Sequence, residues 1–218
     1  MKSHARSVII GGGAMGVGLL YHLAKEGWKD VVLVEKGELT SGSTWHAAGL
    51  IPHFIGSLNM AKIHFYGADL YKKLEEETGQ ATGWHGCGAI RLAIDQDQVD
   101  WFHYVKGVLD QVEAECHLLG PDEISKVHPL LETEGFLMGA YTTGDGHTDP
   151  SGATQAMAVG ARNRGAEIYL NNRVTDTNLL PSGEWEVITE KGSIICEHLV
   201  NAAGSFCEQV GMMAGIKV

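Results

Sequence analysis

The sequence predicts an α/β fold built on a parallel sheet, with a mixed α/β region inserted into it. Three observations carry that expectation. A strand–glycine turn–helix–strand unit opens the chain, an apolar strand near residue 200 ends in small residues, and long helical runs alternate with short strands between them. Val8, Ile9 and Ile10 form an apolar run suited to a strand buried on both faces. Gly11, Gly13 and Gly16 follow as Gly-x-Gly-x-x-Gly. The first glycine permits the sharp turn, the second lets backbone approach a pyrophosphate, and the third lets the next helix pack close to the sheet. Leu19, Leu20 and Leu23 supply that helix with an apolar face, and Gly27 stops it. The helix N-terminus carries the partial positive charge that receives phosphates. Val31 to Val34 form the second strand, which ends in Glu35 about twenty residues beyond the turn, the spacing at which a carboxylate reaches ribose hydroxyls and repels a 2′-phosphate. The unit is therefore a Rossmann-type dinucleotide site that disfavours NADP.

Composition sets the outer limits. With 218 residues the chain makes one large domain or two small ones. A net charge of −11 argues against nucleic acid or an anionic membrane as partner. No apolar run has the length of a membrane span, and the first strand begins too early for a signal or transit peptide, so a cytoplasmic location is expected, or the mitochondrial matrix for a processed eukaryotic form. Cys87, Cys116, Cys196 and Cys207 are scattered with no Cys-x-x-Cys, which suits free thiols in a reducing compartment. The 29 glycines against five prolines fit backbone packed closely on a ligand.

The segment from Leu39 to Leu50 is poor in charge and rich in small and hydroxyl side chains, which lets several backbone N–H groups converge as in a loop around a pyrophosphate. Trp45 and His46 are its bulky members, and His46 is the sharpest candidate for chemistry. Gly11-Gly-Gly-Ala-Met-Gly16 followed by Ser43-Thr-Trp-His-Ala-Ala-Gly49 resembles the dimethylglycine and sarcosine dehydrogenases, flavoproteins of the D-amino-acid-oxidase-like class. Leu74-Glu-Glu-Glu-Thr-Gly79, Gly88-Ala-Ile-Arg-Leu-Ala93, Gly144-Asp-Gly-His-Thr-Asp-Pro150 and Val200-Asn-Ala-Ala-Gly204 extend the resemblance along nearly the whole chain.

The resemblance implies FAD, bonded covalently through its 8α-methyl to His46. The alternative is that His46 packs beside Trp45 without a bond. Pattern and resemblance together give a cofactor-binding set of Gly11, Gly13, Ala14, Met15, Gly16, Glu35, Lys36, Ser43, Thr44, Trp45, His46, Ala48, Gly49, Leu50, Val174, Ala202, Ala203 and Gly204. For Val174 a backbone contact to the adenine stands beside the reading of an ordinary strand valine.

Between the two halves of the dinucleotide unit, Leu58 to Thr78 has helical periodicity, with Met60, Ile63, Leu70, Tyr71 and Leu74 on one face, a solvated Glu75–Glu77 end and Gly79 as cap. His64 on this helix reads as a packing histidine. Ala89 to Ile94 reads as a strand on which Arg91 points away from the apolar face. A surface ion pair and a bidentate contact to a substrate carboxylate are its two readings. Asp97 to Cys116 reads as a helix with core aromatics, Gly120-Pro-Asp-Glu as a helix start ended by His128-Pro129, and Leu137 to Tyr141 as a strand. Asp149 is placed to cap a helix over Ser151 to Asn163. His147, on the loop before it, is the candidate for a direct catalytic role, and nothing completes a metal site around it. Strands are expected at 167–170, 173–180, 185–189, 193–196 and 199–200, with a hairpin turn at Pro181-Ser-Gly183 and a last helix over 206–214. The domain expectation is a dinucleotide region over 1–84 and 145–218, with part of a substrate region over 85–144.

The resemblance further implies oxidative demethylation of an N-methylated glycine by hydride transfer to flavin N5. Electrons would pass to an electron-transfer flavoprotein, and tetrahydrofolate would enter only in a longer protein, since the sequence resembles an N-terminal portion. Sarcosine or another small amine is the rival substrate, and a non-catalytic regulatory subunit is the rival class.

Overall fold

The computed structural model describes residues 1–217. Its elements are β1 (His4–Ile10), α1 (Ala14–Lys25), β2 (Val31–Val34), a 3-10 turn (Ser43–His46), β3 (Leu50–Ile51), α2 (Leu58–Thr78), β4 (Ala89–Ala93), α3 (Gln96–Asp110), β5 (Cys116–Leu119), α4 (Pro121–Val127), β6 (Met138–Thr142), β7 (Gly146–His147), α5 (Pro150–Arg162), β8 (Glu167–Tyr169), β9 (Val174–Leu179), β10 (Trp185–Thr189), β11 (Gly192–Asn201), a 3-10 turn (Gly204–Phe206) and α6 (Cys207–Met213). They fall into two units. One comprises Met1–Ala48, Leu74–Thr82 and the chain from Asp149 on; the other comprises Gly49–Lys73 and Gly83–Thr148.

The first unit is organised by a six-stranded sheet in the order β8-β2-β1-β11-β10-β9. The first four strands are parallel, and β10 and β9 continue as antiparallel neighbours joined by the expected turn at 181–183. Val8, Ile10, Val32 and Val34 share a core with Val187, Ile194, Cys196 and Val210. Ile9 and Leu33, equally buried, turn to the other face by the period of two. The buried face of α1 is Val17, Leu20, Tyr21 and Ala24, so it is rotated from the expected Leu19–Leu20–Leu23 stripe. Tyr21 explains the rotation: its ring lies against Gly160 of α5, where a Cβ would come within 2.8 Å of a ring carbon. Its hydroxyl donates to both carboxylate oxygens of Glu77, at 2.8 and 2.9 Å. Arg164 also donates to Glu77, at 2.8 Å, so this member of the glutamate run is bonded rather than simply solvated.

One strand, β11, replaces the two expected at 193–196 and 199–200. Glu197 and His198 interrupt the apolar pattern but not the register, which is the same at Ala5↔Cys196 and at Ser7↔His198.

The second unit holds a three-stranded antiparallel sheet, β4-β6-β5, packed against α3. Val99, Phe102, Val105, Val108 and Leu109 of α3 meet Ala93, Cys116 and Ala140 of the strands and Ala61 of α2. The expected helix over 97–116 ends early, at Asp110. The chain then turns through Glu113 at φ +58° and enters β5, whose first residue, Cys116, falls within the expected helix. Asp95 caps α3 by accepting from the Gln98 amide at 2.8 Å. Trp101 and Tyr104 are not core. They stack on each other at 5.2 Å between ring centres and are half-exposed.

The helix α2 has the expected bounds and runs through both units, the division falling after Lys73. Its buried side chains include Ala61, Ala68, Leu70 and Leu74, while Met60 and Ile63 face solvent. No helix among the described residues is long and apolar enough to cross a membrane.

Candidate functional site

In the first unit the parallel strands bring two chain segments to one point. β1 leads into the glycine turn and α1 on one side, while β11, its neighbour, leaves toward α6. Such a switch point is where open α/β sheets take ligands. Ala202 donates its amide to Ile10 at 2.9 Å, which fixes the exit of β11 beside the exit of β1. Gly11 has φ +119°, and a Cβ there would lie 2.3 Å from the Ala202 carbonyl oxygen; a Cβ at Gly16 would lie 2.0 Å from the Gly11 carbonyl oxygen. Both positions therefore require glycine. Gly13 has extended backbone and caps α1 without a side-chain bond, and Ala14 and Met15 in the first turn are exposed, Met15 to 82%. A helix start whose own N-cap residue has no side chain, reached through bare backbone, fits a pyrophosphate.

Glu35 is 9% exposed and is tied to backbone at both oxygens, accepting from the Gly12 amide at 2.6 Å and from the Gly37 amide at 2.8 Å. Lys36 is exposed, with its ammonium over the Phe206 ring at 3.2 Å. The 3-10 turn that carries Ser43, Thr44, Trp45 and His46 is fastened to the start of α1, because Thr44 Oγ1 accepts from the Ala14 amide at 2.9 Å. His46 is exposed, its ring 3.8 Å from that of Trp45 between centres. Its Nδ1 donates to the Gly42 carbonyl at 3.2 Å, which leaves Nε2 with the free lone pair. Ala48 is exposed as well. Ala203 and Gly204 follow Ala202, and Gly204 has φ +58°. Val174 opens β9 as a buried member of the sheet core.

Sequence reading passed over two residues that hold this region together. Thr40, buried at φ +67°, donates its amide to Gly12 at 2.9 Å, and Asn172, fully buried, donates its amide to the Glu35 carbonyl at 2.9 Å. The only local signal was a threonine and an asparagine in turn-rich stretches, which is common.

The second unit holds the remaining predicted residues, Gly49, Leu50 and His147. Gly49 accepts from the Thr148 amide at 2.9 Å, and Leu50 pairs with His147 across β3 and β7. His147 is exposed and lies against His85, ring centres 5.0 Å apart, with backbone bonds in both directions. His64 donates Nδ1 to the Pro52 carbonyl at 2.8 Å, as a packing histidine does.

Beneath β3 and β7 lies a buried group that sequence reading did not assemble. Asp145, 1% exposed, accepts at one oxygen from both the amide and Nδ1 of His53, each at 2.7 Å. Burial would push its carboxyl up, but the His53 bonds together with the Thr142 hydroxyl outweigh burial and hold it below the ordinary value. Its other oxygen faces Arg91 Nη1 at 3.7 Å. Arg91 thus pairs with a buried carboxylate and not with a surface one. No group of three or more His, Cys, Asp or Glu side chains placed to hold a metal occurs among the described residues.

Comparison with known proteins agrees with this geometry. Human mitochondrial dimethylglycine dehydrogenase is 48% identical over 99% of the chain, and human mitochondrial sarcosine dehydrogenase 35% identical over 100%. The chain spans about a quarter of the length of these curated relatives, 25% and 24%. Among solved structures, L-proline dehydrogenase from P. horikoshii superposes with a TM-score of 0.92 at 29% identity, covering all of this chain and 57% of that one. The family model described as FAD dependent oxidoreductase matches residues 6–218. With the glycine turn, the glycine-capped helix and the sheet order already in place, the chain belongs to the DAO family of FAD-dependent oxidoreductases.

Proposed function

We propose that the chain is part of an FAD-dependent amine dehydrogenase that acts on an N-methylated glycine, dimethylglycine first, and that His46 carries the flavin covalently. FAD, when bound, supplies the hydride acceptor. The pyrophosphate lies on the amides of the Gly11–Gly16 turn and the start of α1, with Ala202, Ala203 and Gly204 beside it. Glu35 and Lys36 hold the ribose end, and Val174 lines the adenine side. The first unit is accordingly the cofactor region, and the second belongs to the substrate region.

The observation that carries this reading is the fastening of the His46 turn to the α1 N-terminus through Thr44 and Ala14. It brings an exposed imidazole with a free Nε2 to the segment that receives the cofactor's phosphates, and it draws Ser43, Trp45 and Ala48 into the same neighbourhood. A neutral imidazole is a competent nucleophile near pH 7, and bonding through Nε2 leaves the Nδ1 bond to Gly42 intact. The 46–48% identity to dimethylglycine dehydrogenases, against 35% to sarcosine dehydrogenases, favours the tertiary amine. An electron-transfer flavoprotein is the proposed acceptor, His147 the proposed catalytic side chain on the substrate side, and tetrahydrofolate a partner of a longer protein only.

Acid precipitation of the purified protein tests the reading. Yellow colour that stays in the pellet, and moves to the supernatant in a His46→Ala variant, supports covalent attachment. Colour released from the wild type refutes the bond but keeps FAD. A protein without flavin refutes the enzyme and favours a non-catalytic subunit.

A further inference from the structure

Several histidines of this chain spend a ring nitrogen on a neighbour. His22 bonds the Gly18 carbonyl at 2.6 Å, His64 bonds the Pro52 carbonyl at 2.8 Å, and His117 meets Glu115 at 2.9 Å. His85 and His147, both in the second unit, do not. Among the described residues neither ring has a hydrogen bond or an ion pair. Yet the two rings face each other, with 5.0 Å between centres and 36° between planes. Both side chains are exposed.

Backbone builds this pairing. His85 and His147 form an isolated antiparallel bridge, with the His85 amide on the His147 carbonyl at 2.8 Å and the reverse bond at 3.0 Å. Residues directly opposite on such a bridge send their side chains to the same side. His147 is held on its other flank as well, because β7 pairs with β3 through Leu50. Gly146 lets the segments meet: a Cβ there would lie 2.3 Å from the His85 carbonyl oxygen and 2.9 Å from the Trp84 ring. The Gly88 amide closes the loop on the Asp145 carbonyl at 2.8 Å. The backbone under both imidazoles is therefore fixed, and only side-chain torsions remain to be set.

A neutral imidazole offers one lone pair and is the commonest metal ligand among side chains. Zinc–nitrogen bonds of about 2.0–2.1 Å place two imidazoles of one tetrahedral ion roughly 5 Å apart between ring centres, which is the separation here. The nearest carboxylate in sequence, Asp145, is spent on His53 at 2.7 Å. A ligand set made of two imidazole nitrogens suits zinc or copper, whereas magnesium and calcium need oxygen.

We propose that His85 and His147 form a two-histidine chelate for a late first-row divalent cation, zinc in the first place. Two protein ligands leave the remaining positions to water, so the site is exchangeable. It needs neither flavin nor substrate and goes beyond the amine dehydrogenase reading.

Calorimetric titration of ZnCl₂ into the full-length, FAD-loaded protein at pH 7.5, in a non-chelating buffer, tests this. One zinc per chain should bind. His85→Gln and His147→Gln should each weaken it about 100-fold, the gain that joining two ligands on one frame supplies, and the double variant should do little more. His103→Gln, which removes an exposed histidine of α3, should change nothing. At pH 5.5 wild-type binding should weaken at least tenfold, because a protonated imidazole is no ligand. No zinc on the wild type, a loss below tenfold in either folded variant, a site that survives the double substitution, or binding indifferent to pH overturns the proposal. If a variant fails to fold, Cu²⁺ on the wild type keeps the test. Its electron paramagnetic resonance should show two imidazole nitrogens, and one or none overturns it.

Discussion

The carboxylate of Glu35 closes on the amide of Gly12 at 2.6 Å, joining the end of β2 to the middle of the glycine turn across 23 residues of sequence. Its other oxygen takes the Gly37 amide at 2.8 Å. The acid expected to reach outward for a ribose is therefore also the clasp that sets the shape of the turn. Each oxygen keeps a second lone pair, so the two tasks are compatible. Glu35→Gln should separate them. A carboxamide must turn its NH₂ toward one of two N–H donors, leaving a buried donor unpaired at a cost of about 1–3 kcal/mol. Urea unfolding should show a lower midpoint with an unchanged slope.

Glycines of the first helix should divide sharply by position. Gly16→Ala puts a Cβ 2.0 Å from the Gly11 carbonyl oxygen, backbone that cannot move without opening the turn. A loss of more than about 3 kcal/mol is expected, with loss of bound flavin. Gly18→Ala, two residues on, meets only Met157 Sδ at 3.8 Å. In a helix interior that exchange should stabilise by about 0.5–1 kcal/mol. Thermal melting of the two variants beside the wild type checks both signs.

The contrast between these glycines shows what was legible in the sequence. Gly11, Gly13 and Gly16 announce themselves by spacing, because a turn, a phosphate approach and a close helix each need a missing Cβ within six residues. Strand β1, helix α1 and strand β2 follow from apolar periodicity for the same local reason. Asp145 and His53 do not announce themselves, since 92 residues separate them and each alone resembles an ordinary polar residue near a turn. The β5 strand was hidden differently. Val112 and Cys116 keep helical spacing beyond Leu109, and only the reversal at Glu113, a residue with no intrinsic preference for positive φ, ends the helix. His46 stood out through its neighbours Trp45 and Ala47-Ala48, yet the tie from Thr44 to Ala14 that positions its turn is a tertiary contact.

Thiol chemistry should follow burial. Cys87 is exposed, whereas Cys196 lies in the sheet core, where burial pushes its thiol up to about 11. Burial also raises the Cys116 thiol. Since the thiolate is the nucleophile, a maleimide or iodoacetamide pulse at pH 8 on the native protein should label Cys87 first and leave Cys196 and Cys116 unmodified. Peptide mapping after the pulse reads the order, and early modification of Cys196 would contradict the packing of β11 on β1.

Asp145 makes the fold of the second unit acid-sensitive, and the direction follows from its lowered pKa. Burial opposes ionisation, but the His53 bonds and the Thr142 hydroxyl win, so the folded carboxyl titrates below the unfolded one. The folded state then binds fewer protons in that range. Its stabilisation is complete above the unfolded value, near pH 4, and drains away as pH falls through the lower, folded value. Asp145→Asn keeps the shape but offers His53 a weaker acceptor and strips Arg91 of its counter-charge. The variant should be less stable than the wild type at pH 7, and the difference should shrink steadily below pH 4. Melting temperatures of both proteins from pH 7 to pH 3 measure that convergence. Parallel curves would mean that His53 holds a carboxyl that is already protonated, and the electrostatic support of Arg91 would then have to come from elsewhere.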